Sequence, residues 1–159
     1  MIRDSIKAAQ ITAMKTGEKD RLATIRLILA KVKDRDIELR TKDGDIELRT
    51  KDGDIDDDAM VTEVLQKMVK QRRESISLYE AGGRQELADI EQAELAIIEE
   101  YLPAQMSEEA VATAIASIKA EIGAQSVKDM GRVMAALKER HGSEIDVGKA
   151  SALVKAALA

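Results

Sequence analysis

Cysteine is absent from this 159-residue chain, and with it go disulfides and thiolate metal sites. Phenylalanine and tryptophan are absent too, so two tyrosines are the whole aromatic content. A core must therefore be built from Ala, Leu, Ile, Val and Met. There is no aromatic platform on which the bases of a single strand would stack. A single proline leaves long stretches free to be helical. No apolar run approaches the roughly 18 residues that span a bilayer, so no membrane partner is expected. The opening residues, MIRDSIKAAQ, are charged and amphipathic and lack the apolar stretch of a signal peptide. A reducing cytoplasm is the expected compartment.

Basic excess is also missing. The net charge of −5 argues against a non-specific nucleic-acid binder, which gains affinity by displacing counterions with cations. The charge is uneven. Residues 1–103 carry 18 basic and 23 acidic side chains, whereas residues 104–159 carry 7 of each. A polyanion contact is expected in the second half or on a local patch.

What is present is helical periodicity. The abundant Ala, Leu, Met, Glu, Lys and Arg are all good helix formers. Apolar residues recur at three- and four-residue spacing almost throughout. A first helix is expected over about Ile2–Met14, with Ile2, Ile6, Ala9 and Ala13 on one face, ended by Thr16-Gly17. A second starts near Glu18 and runs through Leu22, Ile25, Leu29 and Val32 to about Arg35. A third covers about Asp57–Ala81 with the stripe Val61, Leu65, Met68, Ile76 and Tyr79, and Gly82-Gly83 stops it. The run Asp56-Asp57-Asp58 suits the positive end of its dipole. A fourth covers about Gln85–Leu102, with Leu87, Ile90, Ile97 and Tyr101 inward.

Pro103 biases Leu102 away from helix and marks a domain boundary. Beyond it, Ser107 caps a fifth helix carrying Val111, Ile115, Ile118 and Ile122. Ser126-x-x-Asp129 reads as a capping box opening a sixth, with Val127, Met130, Met134 and Leu137. Asp146 caps a seventh, with Val147, Val154 and Leu158 inward. The predicted fold is all-α: a four-helix N-terminal bundle over 1–103, then a small three-helix domain over 104–159.

One segment stands outside this plan. DIELRTKDG occupies residues 36–44 and recurs unchanged at 45–53. Structural repeats drift in sequence, so an unchanged tandem copy points to recent slippage duplication or deliberate insertion. Nine residues of helix turn through about 900°, half a turn out of phase. Inside a continuous helix they would swing everything beyond to the opposite face. The expectation is that the second helix extends through the first copy and a loop follows. IELRT-KDGD-IELRT also reads weakly as a hairpin. The duplicated segment as a whole is taken as 36–54.

Catalytic chemistry finds little to work with. His141 is the only histidine and sits at a helix end, where its charge is simply favourable. No histidine pair exists for a metal, no Ser-His-Asp set assembles, and there is no phosphate-binding glycine loop. Glu91, Glu94 and Glu99 lack Glu-x-x-His partners and read as a solvated helix face rather than a metal site. The densest basic run holds Lys67, Lys70, Arg72 and Arg73. Lys70 is spaced to pair with Glu74, and Arg72 falls on the inward line Leu65–Met68–Arg72–Ile76, so an ion pair with a glutamate of the fourth helix is expected. In the second domain Lys128, Arg132, Lys138, Arg140, Lys149 and Lys155 form a candidate phosphate-binding set. No catalytic residue, metal ligand or cofactor is assigned.

LQKMVKQRRESISLYEAGGRQELADIEQAELAIIEEYLPAQMSEE (65–109), KDMGRVMAALKERHG (128–142) and GKASALVKAAL (148–158) together resemble the YqeY family. The resemblance implies a small, bacterial, all-helical, two-domain protein. The family is similar to the C-terminal tail of the GatB subunit of the tRNA-dependent amidotransferase, which amidates misacylated Glu-tRNA(Gln) or Asp-tRNA(Asn). That tail contacts tRNA while other domains do the chemistry. The resemblance thus implies a tRNA-associated module without ligase activity, with the RNA contact carried first onto Arg132 and Lys149. The alternative is a protein-interaction or scaffold module with no RNA binding.

Overall fold

The computed structural model describes residues 1–41 and 56–159. Among these the chain is entirely helical, with α1 Ile2–Thr16, α2 Lys19–Thr41, α3 Asp57–Ala81, α4 Gln85–Glu99, α5 Glu108–Ile122, α6 Met130–His141 and α7 Val147–Leu158. The helices gather into two compact units, Met1–Leu102 and Pro103–Ala159. Helix α2 continues into the first copy of the nine-residue repeat as far as Thr41. The expected loop and the alternative hairpin lie outside the described residues.

In the first unit, α3 and α4 form a helical hairpin. Asp56 caps α3 by accepting from the Ala59 amide at 3.0 Å. At the other end Gly83 adopts a φ of 70°, the left-handed conformation that a side chain disfavours. The core joins Ile6 and Ala13 of α1, Ile25, Ile28 and Val32 of α2, Val61, Leu65 and Met68 of α3, and Leu95 and Ile98 of α4. These are aliphatic side chains at helical spacing, as the aromatic-poor composition requires. The N-terminus of α1 is tied down by polar bonds: the Ile2 amide donates to Asp58 Oδ1 at 2.8 Å. Arg3 donates to both oxygens of Asp36 at 2.8 and 2.9 Å and also reaches Asp57.

Two expectations for α4 are corrected. The helix ends at Glu99 rather than Leu102, because Tyr101 and Leu102 close with tighter bonds to Ile98 and Glu99 at 3.2 and 3.3 Å ahead of Pro103. Ile90 does not face inward; it is 56% exposed. The buried stripe is Ala88, Leu95 and Ile98, with half-buried Glu91 on the same line. Glu91 belongs there because Arg72 of α3 meets it, donating from Nη1 at 2.8 Å and to Glu94 as well. The expected ion pair between Arg72 and the fourth helix is present. At the end of α4, Arg21 of α2 donates to both oxygens of Glu100 and to the Tyr101 hydroxyl.

The second unit packs Val111, Ile115 and Ile118 of α5 against Val133 and Leu137 of α6 and Ala150, Val154 and Leu158 of α7, with Ile145 between the last two helices. Ser107 caps α5, accepting from the Ala110 amide at 3.1 Å. The segment before α5 is pinned to the α6–α7 connection, where the Met106 amide donates to the Glu144 carbonyl at 2.7 Å. Val127 and Val147 are exposed rather than inward. Val127 lies in a 3-10 turn, Val127–Asp129, that precedes α6, so helical periodicity does not carry it to the core. Val147 is the first residue of α7, ahead of the turn that Ala150 buries.

Candidate nucleic-acid interface

Helix caps set the position of three of the six candidate cations, Lys128, Arg132 and Lys149. The Ser126 capping box forms, with Asp129 Oδ2 accepting from the Gln125 and Ser126 amides at 3.0 and 3.2 Å. These backbone donors hold the Asp129 carboxyl below its ordinary range. Lys128 projects from this turn and Arg132 from the first turn of α6. Asp146 caps α7 by accepting from the Gly148 and Lys149 amides at 3.0 and 3.2 Å, which places the Lys149 side chain in that first turn. Seventeen residues separate Asp129 from Asp146, Arg132 from Lys149 and Lys138 from Lys155, so α6 and α7 open with the same pattern, Asp-x-Gly-cation. The repeat is visible in the sequence as a seventeen-residue spacing.

The structure does not bring the six cations to one spot. Helix α6 has 12 residues, a length of about 18 Å. Arg132 lies at its start, whereas Lys149 lies beyond its far end. Arg132 and Lys138 are six residues apart, which leaves them about 120° apart around the helix axis. The same holds for Lys149 and Lys155 on α7.

The cations also differ in what they already hold. Arg132 donates to the Ile122 carbonyl at 3.2 Å, closing the C-terminus of α5, and lies 3.4 Å from Asp129. Arg140 grips Glu121 through both guanidinium nitrogens at 3.2 and 2.6 Å. That pairing pulls the Glu121 carboxyl below its ordinary range. Lys128, Lys138, Lys149 and Lys155 are exposed and make no ion pair among the described residues. His141 Nδ1 sits 3.4 Å from Glu144, in keeping with its helix-end position.

Most of the acidic and basic runs of the first unit is taken up internally. Glu91 and Glu94 hold Arg72, and Glu99 accepts from Arg73 at 3.0 Å. The four-residue pair on α3 is Lys67 with Glu63 at 2.7 Å rather than Lys70 with Glu74. No group of three or more His, Asp or Glu that could hold a metal ion occurs among the described residues. No helix among them is long and apolar enough to cross a membrane.

The chain is similar to Altered inheritance of mitochondria protein 41, mitochondrial, of Eremothecium gossypii, with 31% identity over 105 residues. The match covers 64% of this chain and 51% of that protein, so it spans about half the length of the curated relative. A family model described as Yqey-like protein matches residues 3–158. Covering both helical units and nearly every residue, that match makes this chain a member of the YqeY family.

Proposed function

We propose that the chain is a non-catalytic, tRNA-associated helical module whose second unit supplies phosphate contacts. The observation that carries this reading is the set of four exposed lysines that make no ion pair among the described residues, Lys128, Lys138, Lys149 and Lys155. Four of the seven acidic side chains of the unit are engaged, with Glu121 on Arg140, Asp129 and Asp146 on helix amides, and Glu144 beside His141. A unit with balanced formal charge can therefore present locally free cations. The spread of the lysines over more than one face suits a phosphate backbone better than a compact anion. The likeness of the family to the amidotransferase tail selects tRNA among nucleic acids. Arg132 moves down the order of contacts because it already closes α5, and Lys149 moves up.

The setting is taken to be cytoplasmic, in keeping with the absence of cysteine. The similar protein of Eremothecium gossypii carries a mitochondrial name, so this address belongs to the proposal for this chain.

Filter binding of tRNA at two or more salt concentrations tests the reading. The unaltered chain binds with a salt-dependent affinity, each phosphate contact contributing about 0.7–0.9 to the logarithmic slope. Replacing all four lysines by alanine reduces that slope by about 3. Absence of binding at low salt, or a slope unchanged in the fourfold variant, refutes it.

A further inference from the structure

Between α1 and α2 the first unit carries an open groove of about 450 Å³, lined by Arg3, Lys7, Gln10, Ile11, Leu29, Val32, Lys33 and Asp36. Its floor is apolar. Ile11 is 54% exposed, and Met14, one turn further along α1, is 57% exposed. Both are large apolar side chains of α1 left in water, and Ile11 lines the groove. Its walls are basic. Lys7 and Lys33 make no ion pair among the described residues, whereas the one carboxylate of the lining, Asp36, is already held by Arg3. Among the described residues the groove therefore presents positive charge over exposed aliphatic surface, with Lys7 close enough to Asp36 to help hold its carboxyl low, on a chain whose net charge is −5.

We propose that this groove docks an acidic amphipathic helix of a partner protein. Charge complementarity selects the occupant. Lys7 and Lys33 on opposite walls call for carboxylates on both flanks of the ligand, and Ile11 and Leu29 between them call for an apolar stripe. An amphipathic helix with acidic flanks has that pattern, with apolar residues three and four apart. A nucleic-acid backbone would satisfy the lysines and leave the aliphatic floor against charged phosphate. A membrane surface is flat and would not enter a concave cleft between two helices. The site lies in the first unit and is independent of the lysines proposed for tRNA.

The test is a titration of the full chain with a synthetic peptide of about four helical turns, carrying one leucine stripe flanked by glutamates. Amide chemical shifts report the location. Saturable shifts confined to α1 and to the α2 residues facing it are expected, weakening as salt rises. A peptide with lysine in place of glutamate produces none. Lys7→Glu with Lys33→Glu weakens binding at least about tenfold, as reversal of two charge contacts of ordinary strength requires. Ile11→Ser weakens it as well. Because both positions are exposed, circular dichroism should show the helices intact, and the serine variant keeps the test open even if the charge reversal perturbs α1. Shifts scattered over both units, or unchanged affinity in both variants, overturn the proposal. So does a stronger effect of tRNA, anionic vesicles or a second copy of the chain on the same residues.

Discussion

Replacing Arg72 by methionine keeps most of the unbranched stem of the side chain and removes its charge. The Arg72 side chain is 13% exposed, and the side chains of the two glutamates it serves are 22% and 33% exposed. Breaking a fully buried ion pair by removing one partner costs about 3–5 kcal/mol, mostly because the other charge is left behind. Partial solvent access to Glu91 and Glu94 reduces this toward about 2 kcal/mol. For a unit of this size that corresponds to a fall in melting temperature of about 10 °C. The loss is one of uncompensated charge, so it should be recoverable without the arginine. Adding Glu91→Gln and Glu94→Gln to Arg72→Met should restore more than half of it. The assay is urea and thermal denaturation of all three proteins at neutral pH. A cost below about 0.5 kcal/mol for Arg72→Met would show an ordinary surface pair. Failure of the two glutamines to recover stability would show that packing of the arginine stem matters instead of charge.

Three shorter predictions follow from other contacts. Arg3 holds the Asp36 carboxyl below its ordinary value through hydrogen bonding. A depressed folded-state value means that its stabilisation is complete above about pH 4 and fades as pH falls further, through the lower folded value. Asp36→Asn should therefore lose stability at neutral pH and show a flatter acid limb in pH-dependent denaturation. A methyl group on Gly142 would stand 2.5 Å from the Lys138 carbonyl oxygen, so Gly142→Ala should destabilise the second unit by about 1–3 kcal/mol in urea titrations. An unchanged urea midpoint would refute the clash. The two nine-residue copies are identical, so deleting either gives one and the same chain, which keeps the Asp36 that Arg3 holds and the buried Leu39. Its melting temperature should stay within about 3 °C of the parent, and a collapse would show that the second copy is integrated into the core.

Much of the fold was legible because its core is aliphatic and periodic. Val61, Leu65 and Met68 form the buried line of α3 that spacing indicates, and Ser107 and Asp146 cap the helices they precede. The misreading of α4 has a clear source. Hydropathy assigned Ile90 to the core and Glu91 to water, yet the helix turns Glu91 inward because a cation waits there. An inward charge becomes readable only when both partners are considered, and the inward position of Arg72 was the available clue. The six cations were legible as a composition but not as an interface. Pairing of Arg140 with Glu121 spans 19 residues, and the bond from Arg132 to the Ile122 carbonyl depends on how α5 meets α6. Neither is encoded in local spacing.

Both tyrosines, Tyr79 and Tyr101, lie in the first unit, and the second has no Tyr, Phe or Trp. The two halves of the molecule are thus spectroscopically separate without any label. Tyrosine emission, with Tyr101 held against Arg21, responds when the first unit opens and is blind to the second. Far-ultraviolet circular dichroism responds to both. The gap between the two melting curves of the unaltered chain therefore measures whether these helical units unfold together or apart.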